Sequence, residues 1–234
     1  MIPEYQTVLT EIIPAARDTF IFRFTKPNNW NFVAGQFLSL KFTEKAFRAY
    51  SIASKPTDDF IELVVRLIEG GLGSEALRVA KIGQKFMFRG AFGMMKLSET
   101  KNAPQIFCAT GTGIAPFRSM ILTELESENP RPMVVLYGGT DAKDLAYLSE
   151  LSELVGVKTF FGLSRESDLS ELEKFSHQNS VAKKCRITQF LEQENFGDLA
   201  EFYICGNGPM VLSVREFLDQ KGIEKKRIHQ ERFN

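Results

Sequence analysis

The sequence predicts two domains, an antiparallel barrel or sandwich of six strands followed by a five-stranded parallel α/β domain. Three observations carry this. The 234 residues are long for one ordinary domain and sufficient for two of about 100 to 130, each with its own core. Up to about residue 95 the chain reads as short strand-like runs broken by turns. Beyond the polar stretch "SETKNAP" it alternates continuous apolar runs with amphipathic ones, the pattern of buried parallel strands and covering helices. The boundary falls there, giving domains of residues 1–98 and 103–234.

The first six strands are "YQTVLTEII", "TFIFRFTK", "QFLSLKF", "RAYSIAS", "FIELVVRLI" and "QKFMFRG". They are rich in Val, Ile, Phe and Thr, and several alternate apolar with polar residues. Pro27-Asn28-Asn29, Pro56-Thr57-Asp58-Asp59 and Gly70-Gly71 punctuate them. One helix is expected at "GSEALRVAKIG", stopped by Gly83. In the second half "QIFCAT" runs into Gly111 and the helix "FRSMILTELESE", and "MVVLYGG" leads to "AKDLAYLSELSELV". "VKTFFGL" then precedes a polar stretch and "ITQFLEQENF", "EFYICG" leads to "PMVLSVREFLDQKG", and "KRIHQERF" is the last strand.

Composition excludes several classes of partner. Lys plus Arg and Asp plus Glu each number 29, so no net field favours nucleic acid or an anionic membrane. The N-terminus carries acidic residues and prolines, and no run approaches the length of a membrane span. A cytoplasmic protein without stable membrane insertion is expected. Cys108, Cys185 and Cys205 are widely spaced, which suits neither disulfides nor a metal cluster. Any redox chemistry must come from an organic cofactor.

Two glycine turns point to that chemistry. "GTGIAPF" follows the first parallel strand, with Gly111 and Gly113 in the turn and Pro116 opening a helix. Glycine lets backbone approach a phosphate, and the helix start offers unpaired N–H groups. Proline is tolerated in the first turn because its missing N–H would have been an orphan. The third glycine of a Rossmann loop is missing, which removes that identification and leaves the anion site. "CGNGPMV" repeats the logic with Gly206, Gly208 and Pro209. Two such turns at strand carboxyl ends would face one crevice.

"RAYSIAS", "GGLGSEAL", "GTGIAPF", "LSRE" and "CGNGPMV", in that order, together resemble the ferredoxin–NADP⁺ reductase superfamily. The resemblance covers nearly the whole chain. It implies a six-stranded flavin-binding barrel and a five-stranded nicotinamide-nucleotide domain. In the first, Arg48 would hold the flavin phosphate, Tyr50 would stack on the isoalloxazine, Ser51 would reach flavin N5, and Ile52 would also belong to the flavin site. Gly73 and Ser74 would receive the flavin pyrophosphate. In the second, Thr110, Gly111, Thr112, Gly113 and Pro116 would line the coenzyme pyrophosphate, with Gly206, Gly208, Pro209 and Met210 opposite. Cys205 would lie beside the nicotinamide, Glu231 near Ser51, and Phe233 over the flavin. The catalytic set implied is Ser51, Cys205 and Glu231.

The cofactor expected is FAD in preference to FMN. NADPH is favoured over NADH, because Ser164, Arg165 and Arg186 suit a 2′-phosphate, although Thr140 and Asp141 stand where an added arginine would help. The activity implied is that of a ferredoxin- or flavodoxin-NAD(P)⁺ reductase, with ferredoxin or flavodoxin as acceptor. The cysteine set of a fused plant-type iron–sulfur domain is missing from the sequence. Rival readings are a free-flavin reductase, the reductase component of an oxygenase, and a non-catalytic electron-transfer subunit.

Overall fold

The computed structural model describes residues 2–100 and 102–233. The chain divides into two compact units, Met1–Lys96 with Ala115–Thr123, and Leu97–Ile114 with Glu124–Asn234.

The first unit is built on six antiparallel strands: β1 (Glu4–Ala16), β2 (Thr19–Thr25), β3 (Phe37–Lys41), β4 (Phe47–Ser51), β5 (Phe60–Arg66) and β6 (Lys85–Phe92). They are ordered β4-β3-β6-β1-β2-β5. A bridge between Ile52 and Leu63 and a hydrogen bond from Ala53 N to Glu62 O, 2.8 Å, bring the two edges together, so the sheet closes as a barrel and has no open edge there. Inward-facing Phe22, Phe24, Leu38, Leu40, Ile61, Leu63, Phe86 and Phe88 fill it. Trp30, from the loop before β3, plugs one end edge-on to Phe88 at 5.0 Å. Its Nε1 donates to Gly90 O at 2.9 Å, which gives the buried indole the partner it needs. Helix α1 (Leu72–Arg78) adds Leu77 to the same core.

One buried charge marks this unit. Glu62 is 1 % exposed and accepts from Arg23 Nε at 2.7 Å and an Arg118 terminal nitrogen at 3.0 Å. The same Arg118 nitrogen donates to Ala53 O at 2.9 Å, and Ser119 Oγ donates to Ser54 O at 2.6 Å. Helix α2 (Ile114–Leu125) thus satisfies the carbonyls of the segment that follows β4.

The second unit holds six parallel strands, β7 (Gln105–Thr110), β8 (Met133–Gly139), β9 (Val157–Leu163), β10 (Ser180–Lys183), β11 (Glu201–Asn207) and β12 (Ile228–Phe233). Their order is β10-β9-β8-β7-β11-β12. The expected sheet had five strands; the sixth is β10, four residues that pair with β9 alone. "SVAK" is too short and too polar to stand out from the polar stretch around it. That stretch also holds a short helix, α4 (Leu169–Lys174), capped by Asp168.

The helix expected from residue 142 is also cut back to α3 (Leu148–Glu153). Asp141 caps a single 3-10 turn at Ala142–Asp144, and Tyr147 takes a left-handed φ of 59°, which ends helical continuity. Helices α5 (Ile187–Gln193) and α6 (Gly208–Gln220) cover one face of the sheet, where Phe160, Phe190, Phe202, Val214 and Leu218 form the core. Among the described residues no helix is long and apolar enough to cross a membrane.

Breaking the buried ion pair should be costly, because it removes a buried carboxylate that Arg23 and Arg118 share. Glu62→Ala is expected to lose about 3 kcal/mol in urea unfolding, whereas Glu11→Ala, the exposed second partner of Arg23, should lose less than ~0.5 kcal/mol.

Candidate active site

The second unit has its topological switch point at β7. Strands β8, β9 and β10 extend to one side and β11 and β12 to the other. Open α/β sheets bind ligands at the carboxyl ends flanking that point, and both glycine turns lie there. After β7, Gly111–Gly113 form a 3-10 turn that leads into α2. The helix begins at Ile114, two residues before the expected start, so Pro116 falls inside the first turn, where its missing N–H costs nothing.

The two turns are locked together by missing side chains. A Cβ on Gly113 would overlap the Cys205 carbonyl, and one on Gly206 would overlap Thr110 Oγ1. Thr110 Oγ1 also accepts from Asn207 N and Nδ2, both at 3.1 Å. Asn207 Oδ1 in turn accepts from Met210 N at 2.9 Å, capping α6 with Pro209 in its first turn. Gly113 therefore serves loop-to-loop packing. Gly111 differs: it is exposed, has φ +54°, and nothing lies within 4 Å of its missing Cβ. Its carbonyl accepts from the buried Tyr137 hydroxyl at 2.8 Å.

Cys205 is buried at the end of β11, and burial pushes its thiol up out of reach of ionisation. It stands in parallel register with Glu231 on β12, whose charge acts on it in the same direction. The half-buried Glu231 carboxyl is itself raised above its ordinary value by burial. Phe233 pairs through its backbone with Asn207; its side chain lies outside what is described.

At the ends of β8 and β9 a second pair of loops is tied. Ser164 N donates to Gly139 O at 3.0 Å and Arg165 N to Thr140 O at 2.8 Å. Buried Glu166 accepts from the N–H groups of Asp168, Ala142 and Ser167 at 3.0, 3.1 and 2.9 Å, which hold its carboxyl below the usual range. The Ser164 and Arg165 side chains are exposed, as is Arg186 at the cap of α5.

In the first unit β4 presents the other candidates. Arg48 is exposed, Tyr50 half-buried, and Ser51 and Ile52 buried. Burial pushes the Tyr50 phenol up to about 12. Its ring meets Phe42 edge-on at 6.3 Å, and its hydroxyl fills the place of a Gly73 Cβ. The cradle of a tyrosine laid on helix backbone fits a flat aromatic cofactor with a phosphate tail. Gly73 and Ser74 lie in the first turn of α1, but Gly71 is the cap. The Ser74 hydroxyl accepts from Ile68 N at 3.0 Å.

Asn207, Tyr137 and Glu166 hold the loops of the candidate site and are not singled out by the sequence. Asparagine ahead of Gly-Pro is a recognisable cap signal. Tyr137 sits within an apolar run and gives no signal at all.

An antiparallel barrel with an aromatic cradle, joined to a parallel sheet with paired glycine turns, defines a flavin- and nicotinamide-nucleotide-dependent oxidoreductase. The comparisons agree. Residues 6–97 match the oxidoreductase FAD-binding domain and residues 107–216 the oxidoreductase NAD-binding domain. Ferredoxin–NADP reductase B of Sorangium cellulosum is 31% identical over 218 residues, covering 87% of this chain and 86% of that protein. The electron transfer component of Pseudomonas putida toluate 1,2-dioxygenase is 27% identical over 98% of this chain and 67% of its own length. A Neisseria gonorrhoeae ferredoxin NADP⁺ reductase structure shares the fold, with TM-score 0.82 and 20% identity over 98% of both chains. The chain belongs to the ferredoxin–NADP⁺ reductase superfamily, with FAD-binding and NAD-binding domains in that order.

Two outcomes follow from this geometry. Gly113→Ala must move the Cys205 backbone and should cost about 2–3 kcal/mol, more than the roughly 1–2 kcal/mol of left-handed strain expected for Gly111→Ala; urea unfolding ranks them. Glu231 has its carboxyl raised by folding, so the stability it supports is full below the ordinary carboxyl range and is lost as pH rises through the folded value. Glu231→Gln should therefore gain in melting temperature relative to wild type as pH rises above the ordinary carboxyl value of about 4, a trend that scanning calorimetry reads directly.

Proposed function

We propose that this protein oxidises NADPH, in preference to NADH, at FAD held by residues 1–98, and passes single electrons to a ferredoxin or flavodoxin in the cytoplasm. The observation that carries the reading is the pair of interlocked glycine turns at the switch point of the 103–234 domain, with Ser164 and Arg165 exposed two strands away. Their spacing along the sheet edge suits a dinucleotide, with the pyrophosphate at Gly111–Gly113 and the adenosine 2′-phosphate near Arg165.

FAD, when bound, supplies the conversion between hydride and single-electron transfer that side chains cannot perform. The chain's own groups bind and orient. Thr110, Gly111, Thr112, Gly113 and Pro116 present backbone at the start of α2, and Gly206, Gly208, Pro209 and Met210 present a second helix start. Cys205, kept as a neutral thiol by burial, shapes the nicotinamide pocket without offering a competing thiolate nucleophile. Glu231 keeps a protonated fraction to higher pH than an exposed carboxyl would, so it is equipped to hold a proton on β12 next to Cys205. Arg48, Tyr50, Ser51, Ile52, Gly73, Ser74 and Phe233 serve the flavin.

The preference for NADPH rests on charge. Arg165 and Arg186 are exposed guanidinium groups that can fork onto phosphate oxygens. The Ser164 hydroxyl donates to Gly139 O at 3.2 Å and must turn to serve a phosphate. The acceptor is supported by the Sorangium relative, which this chain covers over 86% of its length. A second reading, reductase component of an oxygenase, is carried by the toluate dioxygenase component and by a propane 2-monooxygenase reductase at 30% identity over 97% of this chain. Lys41 gives little to a basic docking face, because Glu4 and Glu44 pair with it at 3.4 and 3.0 Å.

The test is anaerobic reduction of the FAD-loaded protein. Bleaching of the flavin band by NADPH is expected, followed by reoxidation on adding ferredoxin or flavodoxin; a protein that neither NADPH nor NADH bleaches overturns the enzyme reading. Arg165→Ala should raise KM for NADPH on the order of tenfold and leave NADH within about twofold. Equal effects on both coenzymes would remove the phosphate assignment.

A further inference from the structure

Tyr137 is fully buried in the middle of the sheet, beside Ala109 of β7, yet its hydroxyl reaches the glycine turn. It donates to the Gly111 carbonyl at 2.8 Å. A phenol has one proton to give, and giving it to Gly111 O ties strand β8 to the turn after β7. Burial drives its ionisation far above the ordinary tyrosine range, which keeps that proton in place.

The Gly111 carbonyl is held from a second side, since Ile114 N–H donates to it as well. In a trans peptide the carbonyl and the next N–H point in opposite directions. Anchoring Gly111 O inward therefore aims the Thr112 N–H outward, on the side where Gly111 is exposed and has nothing within 4 Å of its missing Cβ. Glycine gives this peptide freedom to rotate. The phenol takes that freedom away before any ligand arrives, and such preorganisation appears as affinity.

We propose that Tyr137 is a positioning residue of the coenzyme site, fixing the Gly111–Thr112 peptide so that its N–H meets the pyrophosphate. This rests on the reading of Gly111–Gly113 as the pyrophosphate turn. It assigns no contact between Tyr137 and the coenzyme.

The experiment compares wild type with Tyr137→Phe, both loaded with FAD, against ADP-ribose and adenosine as competitors of NADPH and by calorimetry. ADP-ribose affinity is expected to fall about five- to twentyfold, adenosine to stay within about twofold, and KM for NADPH to rise while the saturated rate of flavin bleaching changes little. Equal weakening of both probes, or no weakening of ADP-ribose, overturns the role of Tyr137. Wild type that binds ADP-ribose no tighter than adenosine overturns instead the pyrophosphate reading of the turn. Should Tyr137→Phe fail to fold, amide exchange in the wild type decides the matter: ADP-ribose is expected to protect the Thr112 N–H, and unchanged exchange there removes the proposal.

Discussion

The site of the second unit depends on one constraint, the approach of two turns at a distance that no side chain permits. Gly113 lies against the Cys205 carbonyl and Gly206 against Thr110 Oγ1. Once backbone is in contact there, the starts of α2 and α6 are set relative to each other, and so are the ends of β7 and β11. Thr110 and Asn207 then satisfy the polar groups that this closeness would strand, which is the condition for keeping such a contact buried. Everything proposed for the coenzyme hangs on that pairing.

The first unit uses the same device for a different purpose. The Tyr50 hydroxyl occupies the place a Gly73 side chain would take, so the aromatic ring of β4 and the start of α1 form one surface. What keeps β4 in position is the barrel seam behind it, where Ile52 bridges to Leu63 and Arg118 and Ser119 take up the carbonyls of Ala53 and Ser54. Glu62 is the anchor of that seam. A buried carboxylate is tolerable there because two guanidinium groups and a backbone lattice surround it, and it gives the strand a directional partner that apolar packing would lack.

Most of this architecture was legible in the sequence. Six short strand-like runs, several of them alternating, marked the barrel strands, and five apolar runs marked parallel strands, because burial on one or two faces leaves a pattern in the order of residues. What escaped was short or context-dependent. β10 has four residues and one neighbour, and α3 was overextended because an Asp141 cap and a left-handed Tyr147 carry no periodic signature. The site was legible as motifs and illegible as mechanics. The glycines of "GTG" looked alike, yet Gly111 stands open and Gly113 is walled in by another strand's carbonyl, a difference that only tertiary contact creates. Tyr137 bonds to a carbonyl of another loop, and Glu166 joins the N–H groups of its own two following residues to one from the β8 loop, contacts that no local apolar pattern marks.

The same backbone logic bears on coenzyme choice. A carboxylate beside a phosphate site repels its ligand unless its charge is spent elsewhere. Glu166 is committed: three N–H groups from two loops stabilise its negative charge, and in accepting them it splints the segment that carries Ser164 and Arg165. Asp141 is partly spent on the Lys143 N–H at 3.0 Å, a bond that also closes the 3-10 turn and turns the β8 loop toward β9. Under the NADPH reading, then, the acidic residues near the phosphate are the scaffold of the site, and the exposed guanidinium of Arg165 sets its sign. A coenzyme without the phosphate would meet the same scaffold with one strong contact fewer, so selectivity here would be a matter of added affinity for NADPH. A preference built on added affinity alone is graded.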